Sequence, residues 1–310
     1  MNNILKLLSG NIKNIVSKQS LLLGSDTVEI RLRINSPIMI KKLKSTFFLD
    51  DNYKISKKDI DETVTNLTRN SIHAFEKEIK SGYITIEGGH RVGISGDCIY
   101  EGEYFKGFKN ITSLNIRIAR EYPGCSENYI KYFINSSKNI YNTLIIGPPL
   151  SGKTTFIRDL CSNLSDGTRI PYFEGCDVTL IDERGEISAV YNGIPQMYVG
   201  SRTDVLSYCM KKEGFFMGIR ALSPKVIISD ELGSKDDFEI VQYALKSGVN
   251  IITTAHGFSL EDVKKNLYMR TIIENNFFDR VIILKNSQKP CIVKEVYDFE
   301  RNRVIFSDMG

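Results

Sequence analysis

Residues 147–154 read Gly-Pro-Pro-Leu-Ser-Gly-Lys-Thr and follow directly on the apolar run Thr143 to Ile146. The spacing is G-x-x-x-x-G-K-[ST], in which glycines let the backbone curl into a nest of N–H donors. A helix beginning near Lys153 would add its positive dipole end, so the chemistry on offer is the binding of polyphosphate. Lys153 would reach the β- and γ-phosphates, and Thr154 would present its hydroxyl to Mg²⁺. The expected nucleotide-binding set is Gly147, Pro148, Pro149, Leu150, Ser151, Gly152, Lys153, Thr154 and Thr155. The bland alternative is a glycine-rich turn that binds nothing; a strand before the loop and a helix after it weigh against that.

Carboxylates supply the second half of such chemistry. Lys225-Val-Ile-Ile-Ser leads into Asp230-Glu231, and the carboxyl ends of strands are where ligands lie in open α/β sheets. Asp230 could hold Mg²⁺ through water, and Glu231 could polarise an attacking water. A second strand-like run, Thr179-Leu-Ile, ends in Asp182, Glu183, Arg184 and Glu186. A third, Ile251 to Ala255, brings Thr254 and His256 to its end, where a hydroxyl and an imidazole could sense the γ-phosphate. If these runs are parallel neighbours, their ends converge on one crevice. His256 is otherwise a hydrogen-bonded structural histidine.

The elements that must position these groups fall into two textures. From about Lys138, short apolar runs (Thr143–Ile146, Val178–Ile181, Val226–Ile228, Asn250–Thr254, Val281–Leu284) are spaced for intervening helices. That is the pattern of a parallel sheet covered on both faces. Before it, Val28, Ile30, Leu32 and Ile34 alternate with polar residues as in a half-buried strand. Ser56 and Asp59 open a helix striped by Ile60, Val64 and Leu67. Tyr83 to Ile94 reads as two strands about Gly88-Gly89, with Gly82 as a helix stop, and Leu114, Ile116 and Ile118 as one more strand. The expected organisation is an α+β domain over 1–137 and an α/β domain over 138–310, with Tyr122-Pro123-Gly124 and Ser136-Ser137 as junctions.

The chain has 310 residues, 42% hydrophobic and 25% charged, which excludes wholesale disorder, collagen and a disulfide scaffold. Lys and Arg total 41 against 37 acids, a net +4 too small to imply a nucleic-acid partner. Six cysteines without a CxxC pair, and only His73, His90 and His256 beside them, read as reduced thiols rather than a zinc site. Lys6, Lys13 and Lys18 interrupt the N-terminal segment, so neither a signal sequence nor a membrane span is expected there.

The Glu29-Ile-Arg-Leu-Arg33 strand, Gly88-Gly-His-Arg-Val-Gly-Ile94, Ser113-Leu-Asn-Ile-Arg-Ile-Ala-Arg120, the Gly147 loop, Ile181-Asp-Glu-Arg-Gly-Glu186, Ser223 to Glu231 and Thr254-Ala-His-Gly257 together resemble the stage III sporulation protein AA family of endospore formers. The resemblance spans nearly the whole chain. It implies a P-loop NTPase core of the ASCE, RecA-like kind with a smaller N-terminal α+β domain, similar to type II and type IV secretion ATPases. It further implies ATP and Mg²⁺ as cofactors and ring assembly as a homo-oligomer, commonly a hexamer. The setting implied is mother-cell cytoplasm, at the periphery of a membrane complex. There an ATPase would power a channel between mother cell and forespore with membrane-bound sporulation partners.

By analogy to the acidic box of secretion ATPases, Glu186 competes with Glu231 for the catalytic role. Glu231 ranks first, with Glu186 and Glu183 as alternatives and Lys153 as the charge-compensating partner. The family usually carries glycine where Leu150 stands, and the histidine box of the broader secretion group is reduced here to His256. Ring ATPases take an arginine from a neighbouring subunit; Arg117 and Arg120 come ahead of Arg184, Arg202 and Arg220 because they lie near the domain junction.

Of the basic clusters Lys41-Lys42 with Lys44, Lys57-Lys58, Lys211-Lys212 and Lys264-Lys265, most read as solvated helix or loop faces, and Tyr191, Tyr198, Phe215 and Phe216 as packing residues. No aromatic series accompanies the lysines, so nucleic acid is not expected. The competing functions are a nucleic-acid-stimulated motor and a nucleotide-binding scaffold with little hydrolysis.

Overall fold

The computed structural model describes residues 2–24, 26–69, 75–80, 82–287 and 289–308. His73 lies outside the described residues. The chain forms two compact units, one of residues 1–120 with 189–196 and one of 121–188 with 197–310. Tyr122-Pro123-Gly124 is the expected junction adjacent to this change of unit, and the 137/138 boundary falls inside the second.

The first unit runs α1 (Asn2–Leu5), α2 (Gly10–Lys18), β1 (Thr27–Arg33), β2 (Ile38–Lys42), β3 (Thr46–Leu49), α3 (Lys57–Leu67), α4 (Glu76–Lys80), β4 (Tyr83–Thr85), β5 (Arg91–Glu101) and β6 (Tyr104–Arg117). The six-stranded sheet has order β3-β2-β1-β6-β5-β4, antiparallel throughout. Period-two alternation on β1 sends Ile30 and Leu32 into the core, opposite Ile116 and Leu114. Ile60, Val64 and Leu67 of α3 and Ile12 and Val16 of α2 join that core, each fully buried aliphatic contributing roughly 1.5–3 kcal/mol. Ser56 and Asp59 form the expected capping box at the start of α3. His90 follows the Gly88-Gly89 turn, where its Nδ1 accepts the Ala119 N–H at 3.1 Å. Burial pushes it down to about 4, so it is a neutral packing histidine at neutral pH.

The second unit runs β7 (Thr143–Gly147), α5 (Lys153–Asp166), β8 (Val178–Asp182), β9 (Thr203–Ser207), α6 (Lys211–Met217), β10 (Val226–Glu231), α7 (Asp237–Lys246), β11 (Asn250–His256), α8 (Leu260–Val263), α9 (Leu267–Glu274), β12 (Arg280–Leu284), β13 (Val293–Asp298) and β14 (Arg303–Ser307). The eight-stranded sheet has order β14-β13-β12-β7-β11-β10-β8-β9. From β12 to β9 the neighbours are parallel, while β13 and β14 are added antiparallel. All five expected strands are present.

β7 shows why its run is continuously apolar. Ile145 packs with α5 on one face, while Leu144 and Ile146 pack with α7 and α9 on the other. Residues 189–196, between β8 and β9, belong to the first unit: Gln196 Oε1 accepts the Gly88 N–H at 2.8 Å, and Arg69 stacks over Tyr191 at 5.5 Å.

Candidate functional site

The loop from β7 to α5 is shaped by two glycines under different constraints. A Cβ on Gly147 would lie 2.5 Å from Ser151 Oγ and 3.1 Å from Lys153 Cγ. At Gly152, φ is +90°, and a Cβ would lie 2.7 Å from Pro290 Cβ and 2.8 Å from the Cys291 nitrogen. Gly152 is also the N-cap of α5, and no side chain caps that end. The first-turn N–H groups therefore point into the loop with the positive end of the helix behind them. Ser151 Oγ is buried with no hydrogen-bond partner among the described residues. Leu150 adopts φ +66° and is 92% exposed.

Lys153 Nζ donates to the carbonyls of Gly147 at 2.6 Å and Pro148 at 3.2 Å, and lies 3.1 Å from His256 Nδ1. Burial lowers its pKa, against the pull of the Glu231 and Asp230 charges. The other imidazole nitrogen, Nε2, is 3.3 Å from Glu231 Oε2. Lysine, histidine and glutamate from three different elements thus form one line. β11 lies directly between β7 and β10, with His256 in register with Gly147 and Thr254 with Glu231. The expected convergence of strand ends is observed. Thr254 Oγ1 is buried and, among the described residues, unpartnered.

Asp230 is the acid on which charge accumulates. Burial raises its pKa first, and the neighbouring Glu186, Asp182 and Glu231 carboxylates raise it further. A half-buried carboxylate crowded by like charges is a site where a divalent cation is electrostatically favoured. The cradle at Gly147 and Gly152, which a Cβ would fill, and the carboxylate cluster around Asp230 are chemically compatible with a magnesium-bound polyphosphate. A cavity of about 390 Å³ opens beside them, lined by Glu183, Arg184, Lys211, Glu231, His256 and others.

Three positioning features were not visible in the sequence. Asp182, read only as one acid at a strand end, accepts N–H bonds from Glu186 at 2.8 Å, Ile187 at 3.1 Å and Ser188 at 2.8 Å, and the Ser188 hydroxyl at 2.6 Å. It is buried and builds the acidic loop. Arg158 of α5 clamps the same loop, donating to the carbonyl of Ile187 and, at 2.8 Å, to that of Glu186. Lys211 and Lys212 differ: Lys212 is on the surface, whereas Lys211 is half-buried against Asp237. The reading of both as solvated fails for Lys211, because a buried carboxylate lies within its reach.

Arg117 ends β6 in register with Glu29 and Arg91, and Arg120 donates to the Thr27 carbonyl; both belong to the first unit. Arg184 lines the cavity. All six cysteines are free thiols. Among the described residues no helix is long and apolar enough to cross a membrane.

This architecture is shared with solved ATPases. ATPase DotB of Yersinia pseudotuberculosis superposes with a TM-score of 0.62 at 14% identity, over 94% of this chain and 80% of that one. ATPase DotB of Legionella pneumophila gives 0.56 at 16% identity, over 93% and 80%. The pilus retraction motor PilT, solved with ADP, gives 0.55 at 14%, over 86% and 76%. At such identities the likeness is one of fold alone: an α/β P-loop core preceded by an N-terminal domain. In sequence, the chain is 38% identical over 304 residues to stage III sporulation protein AA of Bacillus subtilis (strain 168), covering 97% of this chain and 96% of that protein. Residues 1–304 match the family described as "Sporulation stage III, protein AA". A family match over residues 1–304, together with a relative 38% identical along 97% of the chain, means that the chain belongs to the sporulation stage III protein AA family.

Proposed function

We propose that this chain hydrolyses ATP to ADP and phosphate and uses the energy to drive a secretion or channel complex between mother cell and forespore. The observation that carries the reading is the line from Lys153 Nζ through the His256 imidazole to Glu231 Oε2, 3.1 and 3.3 Å. It joins the group that would meet the γ-phosphate to the group that would meet the attacking water.

The loop N–H groups and the α5 dipole bind the phosphate chain. Lys153 exchanges the Gly147 and Pro148 carbonyls for phosphate oxygens, compensating charge that grows in the transition state. Thr154 and Asp230 would hold Mg²⁺, which would supply positive charge against the phosphates. Glu231 accepts a hydrogen bond from the attacking water and aligns it with the phosphorus. Glu183, exposed at the cavity, and Glu186, crowding Asp230, are the alternatives for that role. Thr254 and His256 sense the γ-phosphate. In a homo-oligomeric ring, taken as a hexamer, Arg117 or Arg120 serves a neighbouring site, and the ring works from the cytoplasmic side with membrane-bound sporulation partners. The family match and the fold shared with DotB and PilT support this reading.

The test is phosphate release by the purified full chain with Mg-ATP, alongside its mass with and without nucleotide. Release that depends on Mg²⁺ and falls to background in Lys153→Ala is expected. Undiminished hydrolysis in Lys153→Ala would overturn the assignment.

A further inference from the structure

In the dipeptide Lys211-Lys212 the two side chains do different things. Lys212 Nζ reaches Glu239 Oε2 at 2.8 Å on the surface, with side chains 36% and 59% exposed, a pair worth little. Lys211 is 13% exposed and its Nζ lies 3.2 Å from Asp237 Oδ1, whose side chain is 1% exposed. The same ammonium donates to the main-chain carbonyl of Glu231. Lys211 is also the first residue of α6, where a positive charge opposes the helix dipole. Its place there is held by its two partners.

Those contacts fix the backbone on both sides of one side chain. Thr253 Oγ1 donates to the Asp230 carbonyl at 2.7 Å, while Lys211 takes the Glu231 carbonyl. Beyond it, the Leu232 N–H donates to Thr254 O at 2.8 Å, and Asp237 Oδ2 accepts the N–H groups of Gly233 and Ser234, each at 2.6 Å. The peptide planes before and after Glu231 are therefore both tied, and they set the direction of its Cα–Cβ bond. The ladder between β10 and β11 is irregular between Ile228 and Glu231, so strand pairing alone does not fix that direction.

We infer that Lys211 is a positioning residue for Glu231: its ammonium, anchored on Asp237, holds the Glu231 peptide so that the carboxylate faces His256 and the cavity. This rests on the reading of Glu231 as the water-orienting group.

The test compares the full chain with Lys211→Met, Lys211→Arg, the double variant Lys211→Met/Asp237→Asn, and Glu231→Gln, alone and with Lys211→Met. The double variant leaves no unpaired buried carboxylate, so it separates positioning from folding. Lys211→Met and the double variant should lower kcat for ATP by about 100-fold, with KM within about threefold, as expected for a displaced reacting group. Lys211→Arg should restore most of the rate. Adding Lys211→Met to Glu231→Gln should cost nothing further, because the lysine acts through that glutamate. Independently of turnover, the ¹³C carboxyl resonance of Glu231, assigned by its loss in Glu231→Gln, should move in Lys211→Met and return in Lys211→Arg. Wild-type turnover in Glu231→Gln would remove the reading of Glu231 itself. An inactive Glu231→Gln with a fully active double variant, a multiplicative loss on combination, or an unmoved Glu231 resonance would overturn the role given to Lys211.

Discussion

His256 Nε2 stands 3.3 Å from Glu231 Oε2, although the two residues end different strands. β10 and β11 are parallel neighbours, and the imidazole leans across the pair while its Nδ1 meets Lys153 at 3.1 Å. A polyphosphate that draws Lys153 away from His256 would change the imidazole's hydrogen bonding and, through Nε2, the setting of Glu231. His256→Ala should therefore leave nucleotide affinity within a few fold and lower kcat by about 10- to 100-fold. Fluorescent-nucleotide titration beside steady-state phosphate release separates the two. A variant that loses binding and keeps its turnover at saturation would show that the imidazole only shapes the pocket.

Leu150 bears a cost that its neighbours in the loop do not. It adopts φ +66° with its side chain 92% exposed, so nothing it packs against repays the left-handed backbone. That conformation costs a residue with a Cβ about 1–2 kcal/mol. Leu150→Gly should raise stability by about 0.5–1 kcal/mol, the relief less the extra entropy of glycine in the unfolded chain. Leu150→Ala should change little, since any Cβ meets the same obstacle. Urea midpoints of the three proteins decide it, and an alanine variant as stabilised as the glycine one would count against backbone strain.

Gly152, two residues on, has the same sign of φ in the opposite surroundings. A Cβ there would stand 2.7 Å from Pro290 Cβ, 2.8 Å from the Cys291 nitrogen and 2.9 Å from its sulfur. Gly152→Ala must move either the loop or the turn before β13, at about 1–3 kcal/mol for the backbone conformation alone. Nucleotide binding should fall with it, because the same movement displaces the N–H groups of the first turn of α5. Calorimetric titration with ATP should show the loss, and a Gly152→Ala chain binding as tightly as wild type would mean that the nest tolerates a shift.

What the sequence made legible and what it hid divide along a physical line. The strands β7, β8, β10, β11 and β12 are short apolar runs because both faces of a parallel sheet are buried, and that pattern needs no tertiary knowledge. The glycine loop and the Asp230-Glu231 pair are local spacings. β9, Thr203–Ser207, is an edge strand with polar residues among its five, so no apolar run announces it. Lys211 and Lys212 are the same residue type at adjacent positions, and only the placement of Asp237 distinguishes them. Asp182 and Glu183 look alike at a strand end, yet the backbone of 186–188 wraps around only the first. In each hidden case the deciding partner is brought close by the fold rather than by local spacing.

Asp59 offers a test in the first unit, away from the nucleotide chemistry. Its carboxylate is 1% exposed and accepts from Ser9 Oγ at 3.0 Å, Asn11 Nδ2 at 3.1 Å, the Tyr53 hydroxyl at 2.7 Å and the Ser56 N–H at 2.9 Å. Burial pushes its pKa up, but these hydrogen bonds outweigh burial and hold it down to about 2. A folded value below the unfolded one, which is near 3.9, means that the contribution to stability is fully present above about pH 4 and is lost as pH falls toward about 2. Asp59→Asn keeps the shape but loses the charged acceptor of the capping box, and should cost about 1–3 kcal/mol at pH 7. The difference from wild type should shrink as pH is lowered from about 4 to 2, since protonation removes from the wild type what the substitution has already removed. Urea titrations followed by circular dichroism across that range give both numbers, and a gap that stays constant with pH would mean that the carboxylate's charge contributes nothing to this cap.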